Sequence, residues 1–163
     1  MAEISIPKIT AVLTLRDKPE NLIPQLEAME NQTLPVSEII LYQDRLDNGV
    51  YTIKLSDEIK DRFHQIFISD KASGAGQELE FIRENAQGDY VCILDDRAMV
   101  GNRWMEMCFF HMLLKEGVYS TYNGETSESG LALINDWPTL NLDEKERDEV
   151  ILKNTWFMKK SSV

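Results

Sequence analysis

Apolar and β-branched runs recur along the chain and predict strands, of which the first two are expected to be buried on both faces. These runs cover residues 9–15, 38–42, 65–69 and 89–94. Between them, apolar residues recur at the spacing of one helical face over residues 22–29 and 79–86, and a mixed stretch at 55–63 is expected to form a short helix. Strands that alternate with helices across short loops are typical of a mostly parallel sheet with right-handed crossovers. The pattern therefore predicts an α/β fold in which helices flank one sheet.

The pattern changes after the fourth predicted strand. Residues 104–114 are apolar nearly all round, which predicts a helix sandwiched in the core. Strand-like segments follow at 118–122, 131–134 and 150–159, and residues 143–149 form a charged run typical of a solvated surface.

Two residues are expected at helix ends. Asn21 precedes the first helical run and is expected to cap its N-terminus, with Pro24 inside the first turn. Gly88 follows the third helical run, where a glycine in the left-handed conformation is expected to end the helix.

The composition fits one domain that spans residues 1–163. The 163 residues are 43% hydrophobic and 28% charged, enough to bury a core without disulfides or structural metals. Seventeen basic against 28 acidic residues give a net charge of −11, which argues against a nucleic-acid partner. An anionic nucleotide is compatible with this charge, because backbone N–H groups, a metal or one arginine can hold its phosphates.

Cysteine usage and hydropathy predict a soluble, cytoplasmic protein. Cys92 and Cys108 lie in apolar runs and are expected to be reduced core residues. Residues 1–7 lack the basic and apolar stretches of a signal peptide. No run approaches the roughly 20 apolar residues of a membrane span.

Each predicted strand is followed by polar or small residues at the edge where a ligand would bind. These are Asp17, Asp44, the segment 72–74 and the pair Asp95-Asp96. In an open parallel sheet, ligands bind beyond the carboxyl ends of the strands. Neighbouring carboxylates there repel each other unless they share a cation or a hydroxyl-rich ligand, so Asp95 and Asp96 are candidate ligands of Mg²⁺ or Mn²⁺. The alternative is that these two aspartates cap the next helix.

Two motifs carry a family resemblance. The first is NQTLP at 31–35, just before the strand at 38–42, and the second is AQGDY at 86–90, leading to LDD at 94–96. With these motifs, the chain from Ile9 to Glu106 resembles the nucleotide-sugar-binding half of a family 2 glycosyltransferase with the GT-A fold.

The resemblance implies a nucleotide pocket built from strand ends. Thr14, Leu15 and Asp17 would line it, Asp44 would contact the base or ribose, and Gly74 would lie close to the nucleoside. The donor would be a UDP-, GDP- or dTDP-linked sugar, and the acceptor a glycan, a lipid or a protein.

The resemblance also implies a site for the diphosphate. Asp95 and Asp96 would form the family's Asp-x-Asp signature, which holds a divalent metal, Mn²⁺ or Mg²⁺, together with the diphosphate. Arg97 stands where the last carboxylate of that signature is usual, so either a metal or this arginine could neutralise the phosphates. Two adjacent acids favour the metal.

Two further departures from the family leave alternatives open. No residue matches the family's catalytic base, and the sequence ends at Val163, where the family normally continues into a helix that carries this base. The leading interpretation is a glycosyltransferase, or its donor-binding domain. One alternative is a non-catalytic domain of the same fold that binds a nucleotide or a protein. Another is an unrelated doubly wound nucleotide-binding domain, although Leu79 replaces the third glycine of a dinucleotide fingerprint.

Overall fold

The computed structural model describes residues 6–15, 19–43, 55–69, 75–96, 98–115, 117–121, 132–133, 139–141 and 155–163. In chain order, the strands are β1 Ile9–Leu15, β2 Glu38–Gln43, β3 Gln65–Ile68, β4 Tyr90–Asp95, β5 Ala98–Met99, β6 Val118–Thr121, β7 Ala132–Leu133, β8 Thr139–Asn141 and β9 Thr155–Lys159. The α-helices are α1 Leu22–Glu30, α2 Asp57–Lys60, α3 Ala75–Asn85 and α4 Trp104–Leu114. The predicted elements of the first two thirds are therefore confirmed, and the charged run 143–149 lies outside the described residues.

Seven strands form the main sheet, in the order β3-β2-β1-β4-β9-β6-β8. The first four are parallel, and each of the remaining three runs antiparallel to its neighbour. Five of the seven strands consequently share one direction, which confirms the predicted α/β fold with a mostly parallel sheet. β5 and β7 form a separate parallel pair.

Strand β1 lies at the centre of the parallel half and is buried along its whole length. Its odd-numbered residues face one hydrophobic cluster, which contains residues of α1 and α4. Val12 faces a second cluster on the other side of the sheet, which contains Ile82 and Ala86 at α3. Because helices cover both faces, β1 reads as a continuous apolar run and does not alternate with polar residues.

Helix α4 is only half buried, so the prediction that it is sandwiched in the core is wrong. Trp104, Met105 and Cys108 are fully buried against the sheet, whereas Phe110 and Leu114 are 58% and 73% exposed. The apolar pattern could not show which side of the helix is covered. None of the described helices is long and apolar enough to cross a membrane.

The NQTLP motif connects α1 to α4 through the side chain of Gln32. Its Nε2 donates to the carbonyls of Gly101 at 2.7 Å and Ala28 at 3.0 Å, and its Oε1 accepts from the N–H of Met105 at 2.9 Å. These bonds satisfy an amide that is 7% exposed. The motif therefore fixes the end of one helix against the start of the other.

The AQGDY motif packs against the amino ends of β1 and β2. The Thr10 hydroxyl donates to the Glu38 carboxylate at 2.6 Å and accepts from the N–H of Gly88 at 2.9 Å. The N–H of Gln87 donates to the same carboxylate at 2.6 Å. The buried charge of Glu38 is thus hydrogen-bonded by two donors, as a buried carboxylate requires.

Gly88 is needed for close approach, and the prediction of a left-handed helix cap at this residue is wrong. Helix α3 ends at Asn85, before the glycine, and the backbone of Gly88 does not adopt the left-handed conformation. A Cβ atom at this position would lie 2.6 Å from the backbone nitrogen of Thr10 and 2.9 Å from the carbonyl of Lys8. Only a residue without a side chain fits.

Gly88→Ala should therefore destabilise the fold, by roughly 1–3 kcal/mol, the usual cost of overpacking a closely packed site. Urea denaturation followed by circular dichroism measures this change in the free energy of unfolding. The control is Gln87→Ala, in the same loop, because Gln87 is exposed and contributes only its backbone N–H to Glu38. Equal stabilities of the two variants would contradict the close-approach account.

Both cysteine side chains are expected to be unreactive while the protein is folded. Cys92 and Cys108 are buried and form no disulfide, and burial raises the pKa of the Cys92 thiol to about 12. A disulfide reagent at mildly alkaline pH should label neither thiol in buffer and both in denaturant. A variant with a cysteine at exposed Ser161 is the positive control. Rapid labelling of the native wild type would show that the described packing is wrong.

Candidate functional site

The order of the strands reverses direction between β1 and β4. From β1 the sheet extends through β2 to β3 on one side, and the chain then returns to add β4 on the other side of β1. Residues of α1 pack against one face of the sheet and residues of α3 against the other. Such a reversal opens a crevice at the carboxyl ends of the two strands, where ligands bind in open α/β sheets.

Residues near the carboxyl ends of the parallel strands form a row across the sheet. In register, Thr14 pairs with Tyr42 on one side and with Asp95 on the other, and Tyr42 pairs with Phe67. Tyr42 and Phe67 stack with a ring-centroid distance of 5.2 Å. Because side chains alternate along a strand, Thr14 and Asp95 share the face on which Val12 packs towards α3.

The side chain of Glu78, from α3, also contacts this row, on the face of the sheet that α3 covers. The hydroxyl of Thr14 donates to Oε1 of Glu78, and the exposed fractions of the two residues are 2% and 1%. Asp95, the neighbour of Thr14, is 5% exposed. Two buried carboxyl groups, from a helix and from a strand, therefore lie on the same face beside Thr14.

Sequence reasoning missed Glu78, although a signal was present. Glu78 and Ile82 are four residues apart and thus share one face of α3, and Ala86, four residues further, comes directly after the end of the helix. Ile82 and Ala86 are buried against the sheet, so the same spacing buries the glutamate. An acidic residue in line with apolar core positions marks a polar contact inside the fold.

The loop that follows β4 is held by two amides at the start of α1. Nε2 of Gln25 donates to the carbonyls of Asp95 at 2.6 Å and Ala98 at 2.7 Å. Nδ2 of Asn21 donates to the carbonyl of Asp96 at 2.8 Å. The prediction that the Asn21 side chain caps α1 is wrong, because it makes no capping hydrogen bond and instead fixes the aspartate pair.

The aspartate pair does not cap the following helix. α4 begins at Trp104, and Arg103 occupies its N-cap position. Asp96 is 2% exposed and forms the turn directly after β4. In the part of the chain that the structure describes, no group of three or more histidine, cysteine, aspartate or glutamate residues could hold a metal. The pair can supply one or two carboxylate ligands, which matches Mg²⁺ sites that take further ligands from phosphates and water.

The structure brings together three of the predicted site residues, Thr14, Asp95 and Asp96. The side chain of Leu15 is 1% exposed and packs in the hydrophobic core with α1, so only its backbone lies at the strand end. The other predicted site residues lie outside the described residues: Asp17, Asp44, Gly74 and Arg97.

Comparison with solved structures finds similar folds. A mannosyltransferase, PcManGT from Pyrobaculum calidifontis in complex with GDP-Man and Mn²⁺, has a TM-score of 0.54 and 13% identity, over 70% of this chain and 35% of that protein. TarS from S. aureus has a TM-score of 0.52 and 12% identity, over 68% of this chain and 20% of TarS. Its 1–349 fragment in complex with UDP has a TM-score of 0.53 and 13% identity, over 68% of this chain and 34% of that fragment.

These comparisons show the fold of the chain. No protein-family model matches the sequence, and no curated protein sequence matches it. The chain spans about a third of the mannosyltransferase and a fifth of TarS. It therefore has the α/β fold found in part of a mannosyltransferase structure with bound GDP-Man and Mn²⁺. Thr14 and Asp95 pair in adjacent strands at the strand reversal, and Asp96 follows directly.

Thr14→Val should destabilise the protein by about 1–3 kcal/mol, because the buried Glu78 carboxyl loses a hydroxyl donor. The chain offers a matched control in Thr33→Val. Thr33 is exposed, and its hydroxyl donates to the carboxylate of Glu106 at 2.8 Å. The same chemical change there should cost little, because water replaces the hydroxyl. If urea denaturation gives equal losses of unfolding free energy for the two variants, the buried Thr14–Glu78 contact stabilises the fold no more than the exposed Thr33–Glu106 contact does.

Proposed function

We propose that this chain is the donor-binding part of a glycosyltransferase and holds a nucleotide-diphospho-sugar at the carboxyl ends of β1 and β4. The observation that carries the proposal is the juxtaposition of Thr14, Asp95 and Asp96 at the strand reversal. The same fold occurs in a mannosyltransferase in complex with GDP-Man and Mn²⁺. A second protein of this fold, a TarS fragment, is in complex with UDP.

The nucleoside half of the donor is assigned to the ends of β1 and β2. Thr14 and Leu15 are the last two residues of β1, and Asp17 lies two residues beyond them in the sequence. Asp44 comes directly after β2, and Gly74 directly precedes α3. Carboxylates such as Asp44 accept hydrogen bonds from ribose hydroxyls or from base N–H groups, which gives them a role in nucleoside binding. A glycine at position 74 would let the backbone approach the nucleoside closely.

The diphosphate half of the donor is assigned to Asp95, Asp96 and Arg97. Asp95 and Asp96 would hold a divalent metal, Mn²⁺ or Mg²⁺, whose charge would stabilise the leaving diphosphate as its negative charge develops. The bonds from Gln25 and Asn21 to the carbonyls of this pair hold its backbone in place before the ligand arrives. Arg97 could supply positive charge to the same phosphates.

Sugar transfer also requires a base that removes the proton of an acceptor hydroxyl. No residue of this sequence matches the base of the family that the chain resembles. The role proposed for this chain is therefore donor binding. The whole enzyme would transfer the sugar to a glycan, lipid or protein acceptor.

A nucleoside diphosphate should bind the chain directly. At a hundredfold excess over its dissociation constant, it would stabilise the fold by ~2.7 kcal/mol, which is roughly a 5–10 °C rise in melting temperature. Thermal-shift measurements with UDP, GDP and dTDP, each with and without Mn²⁺, test this expectation. A flat response to all six combinations would remove the donor-site proposal.

Nucleotide affinity should depend on Mn²⁺ through Asp96. Calorimetric titration of the best nucleotide should show tighter binding with Mn²⁺ than with EDTA, and Asp96→Asn should abolish that difference. Asp89→Asn is the control, because Asp89 is exposed at the amino end of β4. If affinity is the same in Mn²⁺ and EDTA but falls in Arg97→Ala, then the arginine holds the diphosphate and the metal assignment is wrong.

A further inference from the structure

Three buried side-chain amides connect the region of α1 to the segment between β4 and α4. Asn21 directly precedes α1, Gln25 lies within it, and Gln32 lies two residues beyond its end. We term these three side chains the α1 amides. They are 5%, 1% and 7% exposed, and a buried amide costs free energy unless it is hydrogen-bonded. The bonds of each amide therefore show which part of the segment it holds.

Gln25 and Asn21 hold the backbone directly after β4. Nε2 of Gln25 donates to the carbonyls of Asp95 at 2.6 Å and of Ala98 at 2.7 Å, which uses both of its N–H groups. Nδ2 of Asn21 donates to the carbonyl of Asp96 at 2.8 Å. We term Asp95, Asp96 and Ala98 the aspartate turn. Each carbonyl of this turn consequently accepts a hydrogen bond from an α1 amide.

The third amide holds a different part of the segment. Nε2 of Gln32 donates to the carbonyls of Ala28 and Gly101, and its Oε1 accepts from the N–H of Met105. None of these three bonds reaches the aspartate turn. Gln32 and Gln25 are therefore buried amides of the same chemistry that hold different stretches of backbone.

We propose that Gln25 is a positioning residue for the divalent metal of the donor site. The carbonyls of Asp95 and Asp96 belong to the two peptide planes that flank the Cα atom of Asp96, and fixing both planes fixes the direction in which its side chain leaves the backbone. A carboxylate that is already oriented does not have to be ordered when the metal binds, so less binding free energy is lost. The inference rests on the proposed function, because it takes the aspartate pair as the metal ligands.

The main sheet does not supply this constraint beyond Asp95. β4 ends there, and β5, which begins at Ala98, pairs with β7 in a separate two-stranded sheet. The aspartate turn thus lies where pairing in the main sheet ends, and the bonds from Gln25 and Asn21 take its place. Removing a group that orients a metal ligand typically weakens metal binding roughly 10–100-fold.

Calorimetric titration of GDP or UDP into Gln25→Met tests the proposal. Methionine keeps the length and flexibility of the side chain but donates no hydrogen bond. The measured quantity is the ratio of the nucleotide dissociation constant in EDTA to that in Mn²⁺. We expect this ratio to fall roughly tenfold or more from the wild-type value, or to one, while the dissociation constant in EDTA stays at the wild-type value.

Gln32→Met is the matched control. It makes the same change at a buried glutamine and removes three hydrogen bonds, so it should lower the melting temperature at least as much but keep the wild-type ratio. Equal falls of the ratio in both variants would show that metal binding follows overall stability and would overturn the proposal, as would a wild-type ratio in Gln25→Met. A ratio of one in the wild type is a different failure, because it contradicts the metal site of the proposed function and, with it, the role of Gln25.

Hydrogen–deuterium exchange of the chain without ligand gives a readout that does not depend on the metal. In Gln25→Met, the backbone amides of the aspartate turn should exchange faster than in the wild type, whereas in Gln32→Met the increase should lie at residues 101–105. Asn21→Ala removes one bond to the turn and should give a smaller increase there and a smaller fall of the ratio, so it carries the test if Gln25→Met does not fold. An equal increase over residues 95–105 in both glutamine variants would show that the segment is held as one unit and would overturn the positioning role of Gln25.

Discussion

Burial of β1 on both faces is the constraint from which the rest of the structure follows. Every residue from Ile9 to Leu15 is buried, and the strand pairs in parallel with β2 and β4. Parallel neighbours require crossover helices, and a strand covered on both sides requires those helices on opposite faces. α1 and α3 meet this requirement, and the strand order consequently reverses beside β1. The strand reversal at which we propose the donor site is thus a product of how the central strand is buried.

The two ends of β1 use buried polar groups differently. At the amino end, Glu38 accepts hydrogen bonds from Thr10 and from the backbone of Gln87, and the contact joins two strands to the loop after α3. At the carboxyl end, Thr14 contacts Glu78, and the aspartate turn beyond β4 is held through its carbonyls by amides of the first helical segment. The amino end is closed by backbone packing, whereas at the carboxyl end the carboxyl groups of Glu78 and Asp95 are buried beside Thr14.

Local patterns predicted the parallel half of the fold because continuous apolar runs bounded by polar residues are characteristic of strands that are covered on both faces. They failed where the answer depends on distant partners. Asn21 and Gln25 bond to residues 75 and 70 positions away, so no local rule could separate them from helix-capping or surface residues. Helix α4 is apolar nearly all round, and its sequence could not reveal that Phe110, Leu113 and Leu114 are exposed. Burial of Glu78 could have been inferred only from its position four residues before the apolar Ile82, on the same helix face.

The most direct test of the central claim is to map where a nucleotide binds. In two-dimensional ¹H–¹⁵N spectra of the labelled chain, titration with GDP or UDP in the presence of Mg²⁺ should shift the amide signals of Thr14, Leu15, Asp95 and Asp96. The signals of residues 87–89, at the amino end of the same sheet, should stay unchanged. Shifts centred on residues 87–89, or saturable binding that leaves the β1 and β4 ends unperturbed, would contradict the assignment of the donor site to the strand reversal.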